Sequence, residues 1–495
     1  METDRFDVVV VGGGPGGVSA AASAAGAGAK VALVETLDRL GGNAVLSTGY
    51  LVFIGTPLQH QHRAEDSIET FMRDGEKQFE LESVHGGMIW DRDLTKLFAR
   101  ESLQTYHDLV GLGIKFSRLL AKPSQHSVDR LHALADPGDV GRAYTKRLSE
   151  LGVTVLFNTE ARRLIQDGGR VAGIEAVRRV MGAEEERITL RASRGVILTT
   201  GGYQGNFELR RRHQPEADIN GHLVGVPTCR GIGHVLGASV GADLINMDYI
   251  QPMVLVPSLL VEDAIAVNIK GERFHDETGK YANRVKALGE QPERYGYYII
   301  DGETRKARGD LVERMPQAAV TRDTLEELAA AIGCDAAGLK KSVSEWNAFL
   351  AGNGAEDPVT GRTILPEGRR QLIAPPYSAM RMVRSTTFTW GGFAVTLDMQ
   401  VVNVMGDPVP GLFAAGDTVG GVNVISGMGG LHISPALTLG RIAGRSAVKG
   451  ASAKPHITAP AQSHNFVTSS GLKMVLFDLA DKDPDRSKPE PAESA

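Results

Sequence analysis

The chain begins with an apolar run that leads directly into glycines. Residues 8–11 are four consecutive valines without a polar position, which is typical of a parallel strand buried on both faces. Residues 12–17 (Gly-Gly-Gly-Pro-Gly-Gly) follow at once, and the small residues of 18–25 predict a helix. A second apolar run, residues 30–34, ends at Glu35. The pattern therefore predicts a strand–turn–helix–strand unit.

The glycines of this unit have the spacing of a phosphate-binding turn. Gly12, Gly14 and Gly17 fit the G-x-G-x-x-G pattern, in which the first glycine makes the turn, the second admits a pyrophosphate and the third allows close helix packing. The N-terminus of the predicted helix stabilises phosphate charge. Glu35 lies where a carboxylate meets a ribose 2′-hydroxyl. We therefore expect an adenine dinucleotide site in the first 35 residues.

Three later segments distinguish FAD from NAD. Residues 41–43 (Gly-Gly-Asn) are soon followed by Ser-Thr-Gly-Tyr at 47–50, and residues 195–202 form an apolar run that ends in a glycine pair. Residues 411–417 form another apolar run, which ends in Gly416 and Asp417. A flavin requires the chain to pass along its pyrophosphate, ribityl chain and ring, and an acid can accept a hydrogen bond from a ribityl hydroxyl. These segments favour FAD.

Composition excludes several other classes of protein. Glycine accounts for 59 of 495 residues, the net charge of −5 is dispersed, and no basic stripe indicates nucleic-acid binding. The two cysteines are too few for a disulfide framework, and His60 and His62 match no metal-ligand spacing, so we expect no metal. The early first strand leaves little room for a signal peptide, and no apolar run is long enough to span a bilayer. We expect a cytoplasmic enzyme, either monomeric or oligomeric.

Eight motifs in a fixed order resemble those of the FAD-dependent fumarate reductase and 3-ketosteroid dehydrogenase superfamily, over about residues 5–450. They are the glycine unit with Glu35, then residues 41–43, 200–202, 271–274, 376–379, 389–392, 411–417 and 440–444. The resemblance implies an α/β fold in which a Rossmann-type FAD-binding domain carries an inserted α+β capping domain.

The resemblance also implies which residues contact FAD. They are Gly12, Gly14, Pro15, Gly16, Gly17, Glu35, Gly42, Asn43, Thr48, Gly49, Thr200, Gly201, Gly202, Gly391, Gly416, Asp417, Ser434, Ala436 and Leu437. Members of the superfamily with covalent flavin carry a histidine soon after the glutamate and the glycine pair. Residues 41–49 contain no histidine, so we expect non-covalent FAD.

The implied domains follow the chain in four parts. The FAD-binding domain comprises residues 1–252 and 388–450, the capping domain residues 253–387, and a tail residues 451–495. In the capping domain, residues 324–329 predict an amphipathic helix with Thr321 or Asp323 as its N-cap, and residues 339–350 predict a second helix.

In this superfamily the flavin exchanges a hydride with a carbon β to a carbonyl, while a protein group handles the proton of the α-carbon. The fumarate reductase branch has arginines and histidines at the positions of Tyr281, Thr387, Phe388 and Gly427. None of these four residues carries a charge, which disfavours fumarate as substrate.

The ketosteroid dehydrogenase branch is the better match. Residues 434–440 (Ser-Pro-Ala-Leu-Thr-Leu-Gly) are similar to a segment of that branch. Gly430 then lies where the branch uses a glycine N–H to hold the substrate ketone, and Ser426 lies where it uses a tyrosine. Tyr281 lies where a tyrosine could serve as the base, and its alternative role is to cover an apolar patch.

Two further residues complete the candidate site. Arg381 lies in the sequence just before the 389–392 motif, where it would either bind a substrate carboxylate or form an ion pair within the capping domain. His432 would either donate to the carbonyl or only close a helix turn. The candidate catalytic residues are thus Tyr281, Gly430, His432, Arg381 and Ser426.

We therefore expect a dehydrogenase that introduces a C=C bond α,β to the carbonyl of a cyclic or steroid-like ketone and passes electrons to a quinone, a dye or oxygen. The alternative is a reductase of an α,β-unsaturated carboxylate. A single G-x-G-x-x-G unit argues against NADH as a direct electron donor.

Overall fold

The structure is a computed structural model that describes residues 3–47, 49–83, 87–120, 126–179, 182, 184–214, 222–223, 225–249, 253–254, 258–279, 281–313, 315, 317–452 and 454. The strands are β1 Thr3–Val11, β2 Val31–Val34, β3 Tyr50–Val52, β4 Phe116–Leu120, β5 Leu131–Leu134, β6 Thr154–Leu156, β7 Thr159–Asp167, β8 Arg170–Arg178, β9 Glu186–Leu198, β10 His222–Leu223, β11 Leu244–Ile245, β12 Met253–Val254, β13 Ile265–Val267, β14 Tyr297–Ile300, β15 Val320–Arg322, β16 Tyr377–Arg381, β17 Arg384–Thr386, β18 Gly392–Phe393, β19 Gln400–Val402 and β20 Pro408–Ala414. The helices are α1 Pro15–Gly26, α2 Pro57–Gln61, α3 Ile68–Glu82, α4 Arg92–Gly111, α5 Gly138–Glu150, α6 Phe207–His213, α7 Ile232–Ala238, α8 Ser258–Asp263, α9 Tyr281–Gly289, α10 Gly302–Glu313, α11 Leu325–Ile332, α12 Ala336–Ala351 and α13 Ile433–Lys449.

The largest sheet places the predicted first strand at its centre. Its order is β19-β20-β9-β1-β2-β6, with β8 added to β9 and β7 added to β8. Strand β1 pairs in parallel with both β2 and β9. The side chains of residues 8–11 are almost fully buried, as a strand covered on both faces requires. The predicted buried parallel strand is confirmed.

Helices α1 and α13 pack closely because glycines and hydroxyls face each other across their interface. A Cβ added to Gly440 would lie 2.2 Å from the carbonyl oxygen of Gly16, so only glycine fits there. The Ser19 hydroxyl donates to the carbonyl of Leu437 at 2.6 Å. This contact brings the N-terminal ends of both helices to the same edge of the sheet.

Residues 265–381 contribute a separate antiparallel sheet, in the order β13-β14-β16-β15. Alternate residues of β13 and β14 face two separate apolar clusters. Ala266 and Tyr298 pack with α8 and α10, whereas Ile265 and Ile299 pack with α11 and α12. This is the α+β organisation that the resemblance implied.

The N-cap of α11 differs from the expectation. The N-cap of α11 is Thr324, whose hydroxyl accepts from Glu327 N–H, and not Thr321 or Asp323. The reason is that Thr324 has Glu327 three residues ahead, which completes a reciprocal capping box. The domain limits stay a prediction, and the predicted tail lies outside the described residues except for 451, 452 and 454.

Candidate active site

A groove opens at the edge of the main sheet where β1, β2, β9 and β20 end. Of the residues expected to contact the cofactor, those that line it are Gly12, Gly14, Pro15, Gly16, Glu35, Gly42, Asn43, Thr200, Gly201, Gly416, Asp417 and Ala436. Gly17, Gly49, Gly202, Gly391, Ser434 and Leu437 are not among the lining residues, and Thr48 lies outside the described residues. The structure thus brings most of the predicted cofactor residues together.

The glycines of the first turn differ in what surrounds them. Gly12 has a φ of +103°, and a Cβ there would lie 2.4 Å from the carbonyl oxygen of Thr199. A Cβ on Gly17 would lie 1.8 Å from the carbonyl oxygen of Gly12. A Cβ on Gly14 would meet only Gly42, at 4.0 Å, so this backbone stays open to the groove. Each glycine therefore has the environment that its predicted role requires.

Glu35 is held at the groove by backbone donors. Gly13 N–H donates to Oε2 at 2.6 Å, and Leu37 N–H donates to Oε1 at 2.8 Å. Burial raises the pKa of the carboxyl, and the backbone hydrogen bonds oppose that shift. The carboxylate is thus fixed in place at the position expected to meet a ribose hydroxyl.

The groove fits the phosphate end of a dinucleotide. Helix α1 begins at Pro15 and α13 at Ile433, and both residues line the groove. Helix N-termini present free N–H groups and partial positive charge, which stabilise a pyrophosphate. Residues from the first turn, from Glu35 and from the end of β20 are all available to hold FAD.

His432, which lines the groove, and Thr387 each carry an unpaired polar atom. Asp417 Oδ1 accepts from His432 Nδ1 at 3.1 Å and from Asn423 Nδ2 at 3.0 Å. The His432 ring lies 3.9 Å from the Phe388 ring, centre to centre. Within the described residues, the buried atoms His432 Nε2 and Thr387 Oγ1 have no hydrogen-bond partner.

The backbone beside Thr387 is held by two side chains of the cofactor segments. The Thr387 carbonyl accepts from Gln204 Nε2 at 3.0 Å and from Asn43 Nδ2 at 3.5 Å. Asn43 Oδ1 in turn accepts from Val226 N–H at 2.7 Å. The Thr387 hydroxyl therefore belongs to a part of the chain that is connected directly to the cofactor groove.

Ser426 and Gly430 belong to the turn that precedes α13. Trp390 Nε1 donates to Ser426 Oγ at 3.0 Å, and both residues are buried. The Gly430 carbonyl accepts from Val52 N–H at 3.3 Å and from Ser434 Oγ at 3.2 Å. Ser434 thus stabilises this turn through its hydrogen bond to the Gly430 carbonyl. The substrate roles of Ser426 and Gly430 stay predictions.

Tyr281 and Arg381 belong to α9 and β16, and not to the turn before α13. Tyr281 is the first residue of α9, and its side chain is outside what the structure describes. Arg381 ends β16 with an exposed side chain, and its guanidinium carbon lies 4.4 Å from the centre of the Tyr295 ring. Arg381 thus stacks on Tyr295. Its catalytic role stays a prediction that the described contacts do not support.

Comparisons with known proteins identify the family. The FAD binding domain family matches residues 7–433. The urocanate reductase of Eggerthella lenta is 30% identical over 472 residues, which are 90% of this chain and 75% of that protein. The open flavocytochrome c3 fumarate reductase superposes with a TM-score of 0.75 at 28% identity, covering 90% of this chain and 78% of that one. The 3-ketosteroid-Δ4-(5α)-dehydrogenase of Rhodococcus jostii RHA1 superposes with a TM-score of 0.65 at 26% identity, covering 90% of this chain and 97% of that one. The chain belongs to the FAD-dependent fumarate reductase and 3-ketosteroid dehydrogenase superfamily.

As a member of this superfamily, the chain is an FAD-dependent oxidoreductase. The predicted fold class and cofactor are therefore confirmed, whereas non-covalent attachment stays a prediction. None of the helices that the structure describes is both long and apolar enough to cross a membrane. Within the same residues, no group of three His, Cys, Asp or Glu side chains is arranged to hold a metal ion. The cytoplasmic location, the electron acceptor and the oligomeric state stay predictions.

One wall of this flavoprotein's groove was not predicted from the sequence. Val226, Thr228, Cys229 and Ile232 line it, and Gly231 has a φ of +68° beside them. The signal that could have found this wall is the glycine-rich stretch 225–233, which combines a proline with closely spaced glycines.

Proposed function

We propose that this enzyme oxidises the carbon–carbon bond next to the carbonyl of a neutral cyclic ketone. The supporting observation is the pair of buried, unpartnered atoms beside Phe388, namely His432 Nε2 and Thr387 Oγ1. A hydroxyl can donate to a carbonyl oxygen, a neutral imidazole nitrogen can accept a proton, and an aromatic face suits a ring. Buried polar atoms normally have partners, so a polar substrate group is the expected partner of these two.

The residue types at the family's substrate positions favour a neutral substrate. The positions at which the fumarate reductase branch has its proton-donating arginine, its substrate histidines and its carboxylate-binding arginine are occupied here by Tyr281, Thr387, Phe388 and Gly427, all uncharged. An ionised carboxylate taken out of water requires a cation or several donors to compensate for its lost hydration. A ketone requires only one or two donors at its oxygen.

The proposed roles keep atoms and electrons in balance. The substrate loses an α-proton to a protein base and a β-hydride, and a C=C bond forms between the two carbons. Bound FAD supplies the acceptor for the hydride, and an external quinone, dye or oxygen reoxidises it. Gly430 N–H and the Thr387 hydroxyl stabilise the charge that develops on the carbonyl oxygen. Tyr281 is the proposed base, and His432 Nε2 is the second candidate because Asp417 occupies its Nδ1–H.

The test is anaerobic stopped-flow absorbance of the purified, FAD-loaded enzyme. It is mixed with cyclohexanone, with 4-androstene-3,17-dione, with succinate and with NADH in separate runs. We expect the flavin to bleach with at least one ketone and slowly or not at all with succinate or NADH. In the reverse arm, dithionite-reduced enzyme is mixed with urocanate, fumarate or acrylate. Rapid reoxidation by one of these acids, together with no bleaching by any ketone, would contradict the proposal.

A second candidate function is the reduction of an α,β-unsaturated carboxylate. Two observations favour it. The urocanate reductase and a probable fumarate reductase of Shewanella frigidimarina, 29% identical over 91% of this chain and 76% of that protein, are named as reductases. Arg210 is a buried cation whose Nη2 donates to Thr386 Oγ1 at 3.3 Å, next to Thr387. If Arg210 serves a carboxylate, Arg210→Lys will raise the KM for the acid that reoxidises the enzyme while leaving the flavin content unchanged.

A further inference from the structure

A buried ionic network lies beneath the turn that contains Gly429 and Gly430. Arg130 is fully buried, and its guanidinium pairs with Asp66 through Nη2 to Oδ1 at 2.7 Å and Nε to Oδ2 at 2.9 Å. Its Nη1 also donates to Asp74 Oδ2 at 2.6 Å. Three hydrogen bonds to two carboxylates hold this guanidinium in one orientation.

The network determines which nitrogen of His126 carries the proton. Arg130 Nη1 lies 3.1 Å from His126 Nδ1. A guanidinium only donates, so Nδ1 must accept and the ring proton is on Nε2. Burial, followed by the nearby Arg130 charge, lowers the pKa of His126 to about 4, so the ring is neutral near pH 7. The side chain therefore presents one fixed donor.

That donor holds the backbone just before Gly430. His126 Nε2–H donates to the carbonyl of Gly429 at 3.3 Å. The carbonyl and the N–H of a trans peptide point in opposite directions, so the N–H of Gly430 points away from His126. No described residue accepts a hydrogen bond from this N–H, whereas the Gly430 carbonyl is held by Val52 N–H and Ser434 Oγ.

The turn holds the groups on either side of the Gly429–Gly430 peptide, since Gly429 N–H donates to the Ser426 carbonyl at 2.8 Å, but none of its described residues holds the Gly429 carbonyl. Gly429 and Gly430 have φ values of +82° and +72°. Two glycines in sequence have access to many backbone conformations, so the orientation of their shared peptide depends on contacts from outside the turn. Among the described residues, the donor to the Gly429 carbonyl is His126 Nε2–H.

We propose that His126 is a positioning residue that directs the N–H of Gly430 toward the carbonyl oxygen of the substrate. This inference rests on the proposed function in that Gly430 N–H is taken as a carbonyl donor. Arg130, Asp66 and Asp74 hold His126 in the required orientation, and His126 itself does not touch the substrate. Loss of the donor at Nε2 should therefore weaken stabilisation of the transition state and leave FAD binding intact.

The experiment compares three variants of the FAD-loaded enzyme. His126→Phe removes the donor, and His126→Gln restores an N–H donor near the position of Nε2. The matched control is His132→Phe. His132 is also fully buried and hydrogen-bonded, to Thr56 Oγ1 at 2.8 Å and to the Arg130 carbonyl at 2.9 Å, but it contacts neither glycine through these bonds. Flavin content, melting temperature, kcat and KM are measured for each variant with the substrate that the stopped-flow panel identifies.

We expect kcat of His126→Phe to fall about 10- to 100-fold, below the 10²–10³ loss typical of deleting an oxyanion donor outright, with KM changed less than about threefold. His126→Gln should recover kcat to within about fivefold of the parent, and His132→Phe should lose melting temperature but not kcat. Equal losses in His126→Phe and His126→Gln, or a similar kcat loss in His132→Phe, would overturn the inference.

Crystal structures of the two His126 variants provide a readout that needs no substrate. We expect the Gly429–Gly430 peptide to rotate in His126→Phe and to keep its orientation in His126→Gln. An unrotated peptide in His126→Phe overturns the positioning role whatever the substrate is. A rotated peptide combined with an enzyme that acts only on unsaturated acids supports His126 as a positioning residue and rejects the ketone proposal.

Discussion

The Nδ1–H of His432 donates to Oδ1 of Asp417 at 3.1 Å, which leaves Nε2 as the unpartnered nitrogen of a ring that lies against Phe388. A carboxylate that holds one nitrogen of a histidine fixes the orientation of the other, as general acid–base sites require. His432 is thus a candidate proton carrier whose orientation is already set in the folded chain.

The variants His432→Asn and His432→Phe test this role. Asparagine places a donor near Nδ1 and keeps the bond to Asp417, whereas phenylalanine keeps only the ring contact with Phe388. If Nε2 carries a proton, both variants should lose about 10²–10⁴ in the rate of flavin bleaching by substrate, with flavin content unchanged. If His432→Asn stays within a few-fold of the parent in stopped flow, Nε2 has no part in the chemistry.

Tyr281→Phe tests the proposed base. Phenylalanine keeps the ring and deletes the hydroxyl that would accept the α-proton. The rate of flavin bleaching should fall by about 10²–10⁴, while flavin content and melting temperature stay near those of the parent. Substrate binding, followed by perturbation of the flavin spectrum, should change little. A loss of melting temperature with only a modest loss of rate would instead indicate a structural tyrosine.

The cofactor half of the site could be predicted because local spacing determines it. The positions of Gly12, Gly14 and Gly17 follow from one turn and one helix, and Glu35 follows from the length of the second strand. These short-range constraints are visible within 35 residues of sequence.

The substrate half could not be predicted to the same extent because it depends on contacts between distant segments. Arg381 is close to the 389–392 motif in sequence, yet its position at the end of β16 exposes it beside Tyr295. His126 lies 303 residues before Gly429, and no motif marks the pair. Such contacts are set by how the sheets pack, which the order of motifs does not specify.

Gly17→Ala should destabilise the fold at the first turn. The added methyl would lie 1.8 Å from the carbonyl oxygen of Gly12 and 2.7 Å from Thr199 Oγ1, so α1 would have to move from β1. Gly26, at the end of the same helix, has nothing within 4 Å of an added Cβ. Gly26→Ala should therefore be neutral or raise the free energy of unfolding by up to about 1 kcal/mol. Melting temperatures and flavin content of the two variants check this contrast, and equal behaviour would contradict it.

Because of three buried histidines, we expect the fold to lose stability in mild acid. Burial lowers the pKa of His126, His132 and His234 to about 4 in the folded chain, against about 6.5 in the unfolded chain. Between these values the unfolded chain binds protons that the folded chain excludes, so the free energy of unfolding should fall as the pH drops from about 6.5 to about 4. Above pH 6.5 these histidines are neutral in both states, so they do not change the free energy of unfolding with pH. Denaturant titrations at pH 7.5, 5.5 and 4.5 measure the trend, and His132→Phe should make it shallower.

Glu35→Gln should weaken FAD binding, and it leaves one of the two backbone donors, Gly13 N–H or Leu37 N–H, without its acceptor. Glutamine keeps an oxygen that can accept from Gly13 N–H or Leu37 N–H, but it removes the charge that strengthens a hydrogen bond to a ribose hydroxyl. A hydrogen bond to a charged group is worth about 1.5–3 kcal/mol, so we expect the Kd for FAD to rise about 10- to 150-fold. Asp38→Ala is the control, because Asp38 is close in sequence and its side chain is 73% exposed. Reconstitution of acid-stripped protein, followed by flavin fluorescence, measures both Kd values, and the stripping step itself checks that FAD is released intact. A Kd for Glu35→Gln that equals that of Asp38→Ala would mean that Glu35 orders the turn and does not bind the ribose.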